Sequence, residues 1–407
     1  MISVTRLLSG VIGPSDDLRY GSDQGATLRP GHPTRVVPAV VVWNCTRTCN
    51  LRCIHCYSDS QNVRYDNELN YKESVTLIDE LAELGVAVLL FSGGEPLLRE
   101  NLFELGAYAK LKGLRPVIST NGTLIDPDTA GRIREAGFAY VGVSLDGLGD
   151  TNDGFRGVPG AFGRALDGIR NCKKAGIRVG VRFTLSRRNA GDLDGIFDLV
   201  RDEGIPRLCI YHLVYAGRGA ALKDEDLSHA EMRGAMELIC RRTAESAEQN
   251  SGTEVLTVDN PADGVYLYLR QLAEDANRAE EIMRLLRVNG GNSSGERIAC
   301  IDNTGEVHPD QFWRNHTFGN IRDRSFGEIW NDPDNELLRS LRHRTQMVKG
   351  RCRTCAYLDV CGGGLRARAE AATGDIWAAE PACYLTDEEI SGQAARNQQP
   401  AGEQHGH

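Results

Sequence analysis

The chain has 407 residues, 41% hydrophobic and 25% charged, enough for two domains or one large barrel with an appendage around a sizeable core. Its net charge of −9 argues against nucleic acid as a partner, because a phosphate-binding face carries a basic excess, while an anionic small molecule served by local arginines stays compatible. No signal peptide and no run approaching the roughly 20 apolar residues of a membrane span are found, so a cytoplasmic protein without a membrane partner is expected, whose 12 cysteines point to metal or redox ligands rather than disulfides.

Residues 1–34, rich in Gly, Pro and Asp, read as an arm or loop. "AVVVW" at 39–43 reads as an opening strand. A pattern then recurs in which a polar helical stretch ends at glycine and a short apolar, β-branched run follows. It occurs at Gly85, Gly113, Gly137, Gly176 and Gly204. Glycine just past a helix end accepts the left-handed conformation that stops it, and apolar runs without clean alternation suit strands covered on both faces. Six strands with intervening helices predict an α/β fold, a β/α barrel or doubly wound sheet over about residues 35–216. Residues 217–298 read as mainly helical, 299–391 as a compact Cys- and Gly-rich domain, and 392–407 as a disordered tail. Cys45, Cys172, Cys209 and Cys240 are expected to be buried small apolar residues.

Within "WNCTRTCNLRCIHCYS" at 43–58, Cys49, Cys53 and Cys56 are spaced C-x3-C-x2-C. Three thiolates close three corners of a four-iron cube and leave one iron without a protein ligand. A structural zinc wants a fourth ligand, and His55 sits between two of the cysteines, where its ring is expected to point elsewhere. A zinc loop or a chance cluster is the plainer alternative. After the second strand comes "FSGGEPLL" at 91–98, whose glycines let the backbone approach a ligand.

Together these two motifs closely resemble those of the radical S-adenosylmethionine (radical SAM) enzymes. The resemblance implies a partial (β/α)6 barrel and a [4Fe-4S] cluster whose open iron takes the amino and carboxylate groups of S-adenosylmethionine. It also implies that the backbone at Gly93, Gly94, Glu95 and Pro96 contacts that amino group. Sites in such folds collect at the carboxyl ends of the strands. Ser119, Thr120 and Asn121, Ser144 and Asp146, Arg182 and Thr184, and His212 and Tyr215 fall there. Asn121, Ser144, Asp146 and Arg182 are the expected cofactor contacts; a cap or turn is the bland reading of each.

A second group, Cys352, Cys355, Cys361 and Cys383, is a closed four-ligand set that suits structural zinc or a cluster with no open iron. Its spacing resembles the SPASM/Twitch extension of radical SAM enzymes, which implies auxiliary [4Fe-4S] clusters. In the stretch where a second auxiliary cluster would find cysteines, only Cys300 is present and Asp310 stands in a thiolate position. One auxiliary cluster is therefore expected, with Cys300 a spare thiol near the substrate or an alternative ligand.

The stretches "VVVWNCTRTCNLRC", "SLDGLGDTNDGFRG", "YHLVYAGRG" and "GEVHPDQFWRNHTFGNIRDRSFGEIW" resemble the subgroup that acts on modified haems, a resemblance that covers about residues 2 to 391. That subgroup includes 12,18-didecarboxysiroheme deacetylases and the side-chain-removing enzymes of haem d1 synthesis. The resemblance implies a 5′-deoxyadenosyl radical that takes a hydrogen atom from a peripheral side chain of an iron tetrapyrrole. Loss of two acetates would give iron-coproporphyrin III; loss of propionates would belong to haem d1 synthesis. Expected partners are the iron tetrapyrrole and a flavodoxin- or ferredoxin-like electron donor, with the chain a monomer. A flat ring bearing carboxylates needs apolar walls and arginines, and Arg19, Arg156, Arg218 and Arg314 are the candidates. His212, Tyr215 and Cys300 are candidate catalytic residues, and His308 and His316 further candidates for the substrate iron or a proton. A SPASM-type peptide maturase is the alternative enzyme. It would need a leader-recognition domain before the barrel, for which 34 residues are too few. A cluster- or zinc-stabilised haem binder without catalysis has no use for an open iron.

Overall fold

The computed structural model describes residues 1–21 and 35–393; most of the expected tail lies outside them. Eleven strands form one sheet: β1 Ile2–Ser3, β2 Val40–Thr46, β3 Val88–Gly93, β4 Arg115–Thr120, β5 Val141–Ser144, β6 Val179–Leu185, β7 Arg207–His212, β8 Glu254–Val258, β9 Ile298–Ile301, β10 Glu306–His308 and β11 Gly319–Asn320. Their order is β1-β8-β7-β6-β5-β4-β3-β2-β9-β10-β11. Strands β2 to β7 are the six expected parallel strands, each returning through a helix. The helix Tyr71–Leu84 shows how local sequence sets these boundaries. It opens on a capping box in which Asn70 and Glu73 bond each other's backbone, and it stops at Gly85 with φ +89°.

Two parallel strands were not anticipated. β8, inside the segment read as helical, extends the barrel beyond β7. β9, from the cysteine-rich region, pairs with β2 in the register Val42↔Cys300. Nor are residues 1–21, the described part of the expected arm or loop, without regular structure: β1 pairs antiparallel with β8, Ile2 opposite Thr257, and the helices Val4–Ser9 and Asp16–Tyr20 follow. The three strands share one cause, since each is stabilised by pairing with distant chain rather than by its own pattern.

Alternate residues divide the sheet. Val41, Trp43, Leu89, Phe91, Ile118, Val141 and Val143 face the helices and are fully buried in the main core. Val40, Val42, Val88, Leu90, Val117 and Tyr140 face inward and line the lumen of the curved sheet. Cys45, Cys172 and Cys240 lie in the main core, as expected, and Cys209 packs with Leu256 and Val258.

Candidate active site

The cluster loop leaves the carboxyl end of β2 and is pinned on all sides. The N–H groups of Arg52 and Ile54 donate to the carbonyls of Arg156 and Phe155 (3.0 and 2.9 Å), so the loop satisfies the end of the helix Gly149–Arg156, whose last carbonyls have no partner within the helix. Arg218 donates to the carbonyls of Cys53 and Ser60 (2.8 and 2.9 Å). Arg314 donates to Ser58 O at 3.1 Å and to Asp302 at 3.3 Å.

The GGEP segment packs directly on this loop. Gly94 N donates to Thr46 O (2.7 Å) and Glu95 N to Thr48 O (2.8 Å). A Cβ on Gly93, at φ +130°, would collide with Thr46 O, and one on Gly94 with Thr48 O. The two motifs are one construction, and close backbone packing is why the glycines are needed. Glu95 is fully buried and ties in the next strand, accepting from Thr120 Oγ1 (2.7 Å), Asn121 N (2.8 Å) and Leu97 N (3.1 Å). Burial pushes its carboxyl up to about 7. Asn121 closes the circuit, donating to Asn50 in the cluster loop at 2.8 Å.

Cys49, Cys53 and Cys56 line one cavity of about 150 Å³ together with Gly93, Gly94, Asn121, Ser144, Arg182 and His212. Burial, the largest cause, pushes the Cys49 thiol up to about 12, and the other two sulfurs add to it. His55 does not turn to the thiols: its Nε2 lies 3.2 Å from Asp146. Asp146 also pairs with Arg156 and accepts from Thr184 N at 2.7 Å. Although burial raises its carboxyl, Arg156 and His55 hold it well below the usual carboxylate range. Three thiols with the neighbouring imidazole engaged elsewhere fit an iron-sulfur cube with one open corner.

Cys352, Cys355, Cys361 and Cys383 line a second cavity, and each of Cys361's three largest charge neighbours is another of the set. Backbone N–H groups are directed at two sulfurs: Glu380 N to Cys352 and Tyr357 N to Cys355, both 3.4 Å. Among the described residues the one group of three ligand atoms within 4.8 Å of one another is Asp302, Glu306 and His308. Neither cysteine set therefore closes to the roughly 3.8 Å sulfur spacing of a single tetrahedral zinc with bonds of about 2.3 Å. Their thiol-only donor sets suit [4Fe-4S] clusters instead.

The auxiliary region docks on the barrel mouth through buried polar links. Glu380 accepts from Arg368 (3.2 Å), which donates to the carbonyls of Leu213 and Asp259 (3.0 and 3.1 Å). His212, at the end of β7, is 2.8 Å from Asp263, whose other oxygen accepts from Tyr384 (2.9 Å) beside Cys383. Tyr215 is turned away, donating to Asp226 at 2.6 Å.

A larger cavity of about 310 Å³ runs down the lumen. It shares Val42, Leu90, Arg182, Tyr211, Asp259, Gln311 and Phe312 with the first, so the two adjoin. Its deeper walls carry Arg19, Arg115, Arg207 and Arg297. Glu254 sits among Arg19, Arg178 (3.2 Å) and Arg207 (2.7 Å). Arg182 stacks over Tyr211 at 4.8 Å and donates to Ser119, with no carboxylate beside it among the described residues.

Of the four arginines expected to meet substrate, Arg19 alone lines the lumen. Arg218 and Arg314 differ from that expectation because their guanidinium groups bond carbonyls of the cluster loop, and Arg156, which lines the cluster-site cavity, is engaged by Asp146 and Cys53. Cys300 is fully buried on β9, 3.5 Å from Asn44 Nδ2, and lines neither cavity. His308 bonds the carbonyl of His316, and His316 pairs with Glu370 at 2.9 Å. Sequence reasoning missed Arg115, Arg207, Arg297 and Asp259, whose placement depends on the inward register of β4, β7, β8 and β9.

The radical SAM superfamily model matches residues 43–210, and the SPASM iron-sulfur cluster-binding domain matches residues 293–356. The chain is 52% identical over 396 residues to Fe-coproporphyrin III synthase of Methanosarcina barkeri, covering 96% of this chain and 99% of that protein. It is 45% identical to pre-heme d1 synthase of Dinoroseobacter shibae, covering 85% and 86%. Among solved structures, Streptococcus suis SuiB bound to precursor peptide SuiA superposes with a TM-score of 0.69 at 17% identity, over 86% of this chain and 76% of that one. Native anSMEcpe with bound AdoMet gives 0.66 at 17% identity, over 88% and 97%. With an open three-cysteine site, a closed four-cysteine site and the barrel that joins them, the chain belongs to the radical SAM superfamily, among the enzymes that carry a SPASM cluster domain and two [4Fe-4S] clusters.

Proposed function

We propose that this enzyme removes two acetate side chains from 12,18-didecarboxysiroheme and yields iron-coproporphyrin III. One observation carries the reading. The cavity at the open cluster site adjoins an apolar lumen whose walls carry Arg19, Arg115, Arg207 and Arg297, and apolar walls with arginines are what a flat ring with several carboxylates requires. The identity of 52% to an Fe-coproporphyrin III synthase, over 99% of that protein, supports it.

When bound, the reduced cluster and S-adenosylmethionine supply a 5′-deoxyadenosyl radical and methionine. The protein's own residues then have distinct tasks. Cys49, Cys53 and Cys56 hold the cluster, and the GGEP segment with Asn121, Ser144 and Arg182 positions the sulfonium nucleotide. Arg115, whose side chain has no hydrogen-bond or ion-pair partner among the described residues, takes a carboxylate of the tetrapyrrole so that one side chain faces the cofactor. Cys352, Cys355, Cys361 and Cys383 would hold the auxiliary cluster, and Asp263 and Arg368 link their region to the mouth. The enzyme acts as a monomer and draws electrons from a flavodoxin- or ferredoxin-like donor.

The test is an anaerobic reaction of reconstituted, reduced enzyme with 12,18-didecarboxysiroheme, read by product mass. Loss of two acetates supports the reading, and an unchanged macrocycle overturns it. The 45% identity to a pre-heme d1 synthase favours one second reading, in which propionates leave instead, and the same mass measurement separates the two.

A further inference from the structure

Among the described residues, one carboxylate lines both cavities without a hydrogen-bond partner. Asp259 follows β8 with φ +69°, a left-handed conformation that is uncommon for a non-glycine residue and marks strained functional positions. The backbone is locked there, because buried Arg368 donates to its carbonyl and is itself held by Glu380. The side chain lines both the cofactor cavity and the lumen, and its Oδ2 is buried with no partner. A buried acceptor left unpaired in a strained turn calls for a functional explanation.

We propose that Asp259 is a catalytic acid, which hands a proton to the side-chain fragment leaving the tetrapyrrole. This rests on the proposed function and deepens it. The 5′-deoxyadenosyl radical takes a hydrogen atom from a carbon next to the acetate-bearing carbon and becomes 5′-deoxyadenosine. The carbon–carbon bond to the acetate breaks homolytically, a ring C=C bond forms, and a carboxymethyl radical is released. One electron from a reduced [4Fe-4S] cluster, restored by an external one-electron donor, and one proton from the Asp259 carboxyl convert that radical to acetate. Solvent reprotonates Asp259. Burial pushes this carboxyl up to about 6, with Asp310 acting in the same sense and Arg368, the α-amino group of Met1 and His212 opposing. A fraction of it therefore carries a proton near neutral pH, as an acid working there must.

The experiment compares wild type, Asp259→Asn and Asp259→Glu as anaerobic holoenzymes with 12,18-didecarboxysiroheme. Acetate and 5′-deoxyadenosine are counted, and tetrapyrrole binding is followed by its absorption. The Asn variant should bind substrate and form 5′-deoxyadenosine normally while acetate released per 5′-deoxyadenosine falls about 100-fold, the scale of general acid catalysis. The Glu variant should restore most of that ratio. In wild type the ratio should decline as pH rises through the Asp259 titration, and in the Asn variant it should be flat. An Asn variant with the wild-type ratio overturns the proposal, and so does one that loses substrate binding, since Asp259 would then be structural. Wild type that releases no acetate refutes the functional reading itself, a result distinct from either.

Discussion

Arg156 reaches a cluster thiol: its Nη1 lies 3.5 Å from Cys53 Sγ while Asp146 grips the same guanidinium. A fixed positive donor beside a cluster sulfur favours the more negative, reduced state, because hydrogen bonds to sulfur and local charge set cluster potentials. Arg156→Gln should therefore keep its iron, lower the reduction potential of the open cluster, and slow S-adenosylmethionine cleavage about tenfold, the low end of second-layer effects. Redox titration followed by electron paramagnetic resonance reads the potential without substrate. An unchanged potential would assign Arg156 a purely structural part.

The two cysteine sets should separate by phenotype. Replacing Cys49, Cys53 or Cys56 with Ala should abolish 5′-deoxyadenosine formation, since each removes a ligand from the cluster that meets the sulfonium. Cys355→Ala strikes the closed set and should leave part of that cleavage while tetrapyrrole turnover is lost. Iron should fall from about eight to about four per chain in either case if each set holds one four-iron cluster.

The cysteine sets were legible in the sequence because a ligand set is a matter of residue type and short spacing, which folding does not rearrange. The repeating glycine-to-strand pattern gave β3 to β7 for a similar reason, and the apolar run at 39–43 gave β2. β8 and β9 were not legible: "EVLTV" lies between two helices, and Ile298–Ile301 is four residues long. Pairing with β7 and β2 makes them strands. Arginines were the least legible. Arg218 and Arg115 are the same residue type, yet one, in the turn segment after β7, closes the cluster loop and the other, at the start of β4, faces the lumen. Asp259 stood in "DNP", which reads as an ordinary turn.

The Arg115 side chain has no ion-pair or hydrogen-bond partner among the described residues and lines the lumen. With no partner to strand, Arg115→Ala should leave thermal stability nearly unchanged. A charge-assisted bond to a carboxylate contributes about 1.5–3 kcal/mol, so tetrapyrrole binding should weaken by about tenfold or more. Titration of the cofactor-free protein, followed by the macrocycle's absorption, measures this without catalysis. Equal affinity in the variant would take Arg115 out of the substrate site.

Glu254 carries the opposite balance. It is 5% exposed and faces Arg19, Arg178 and Arg207, while Asp16 (3.0 Å from Arg19) is the other carboxylate paired there. Glu254→Gln strands these guanidinium groups, and removing one partner of a buried ion pair costs about 3–5 kcal/mol. Arg19 belongs to the amino-terminal segment whose strand β1 pairs with β8, so the damage should begin there. Hydrogen exchange should rise first in residues 1–21 and along β8, with the melting temperature falling by several degrees, on the scale expected for such a loss. Adding Arg178→Met should recover part of the stability by removing one of the stranded charges. If the double variant is no more stable than Glu254→Gln, mutual repulsion among the arginines is not what the carboxylate relieves.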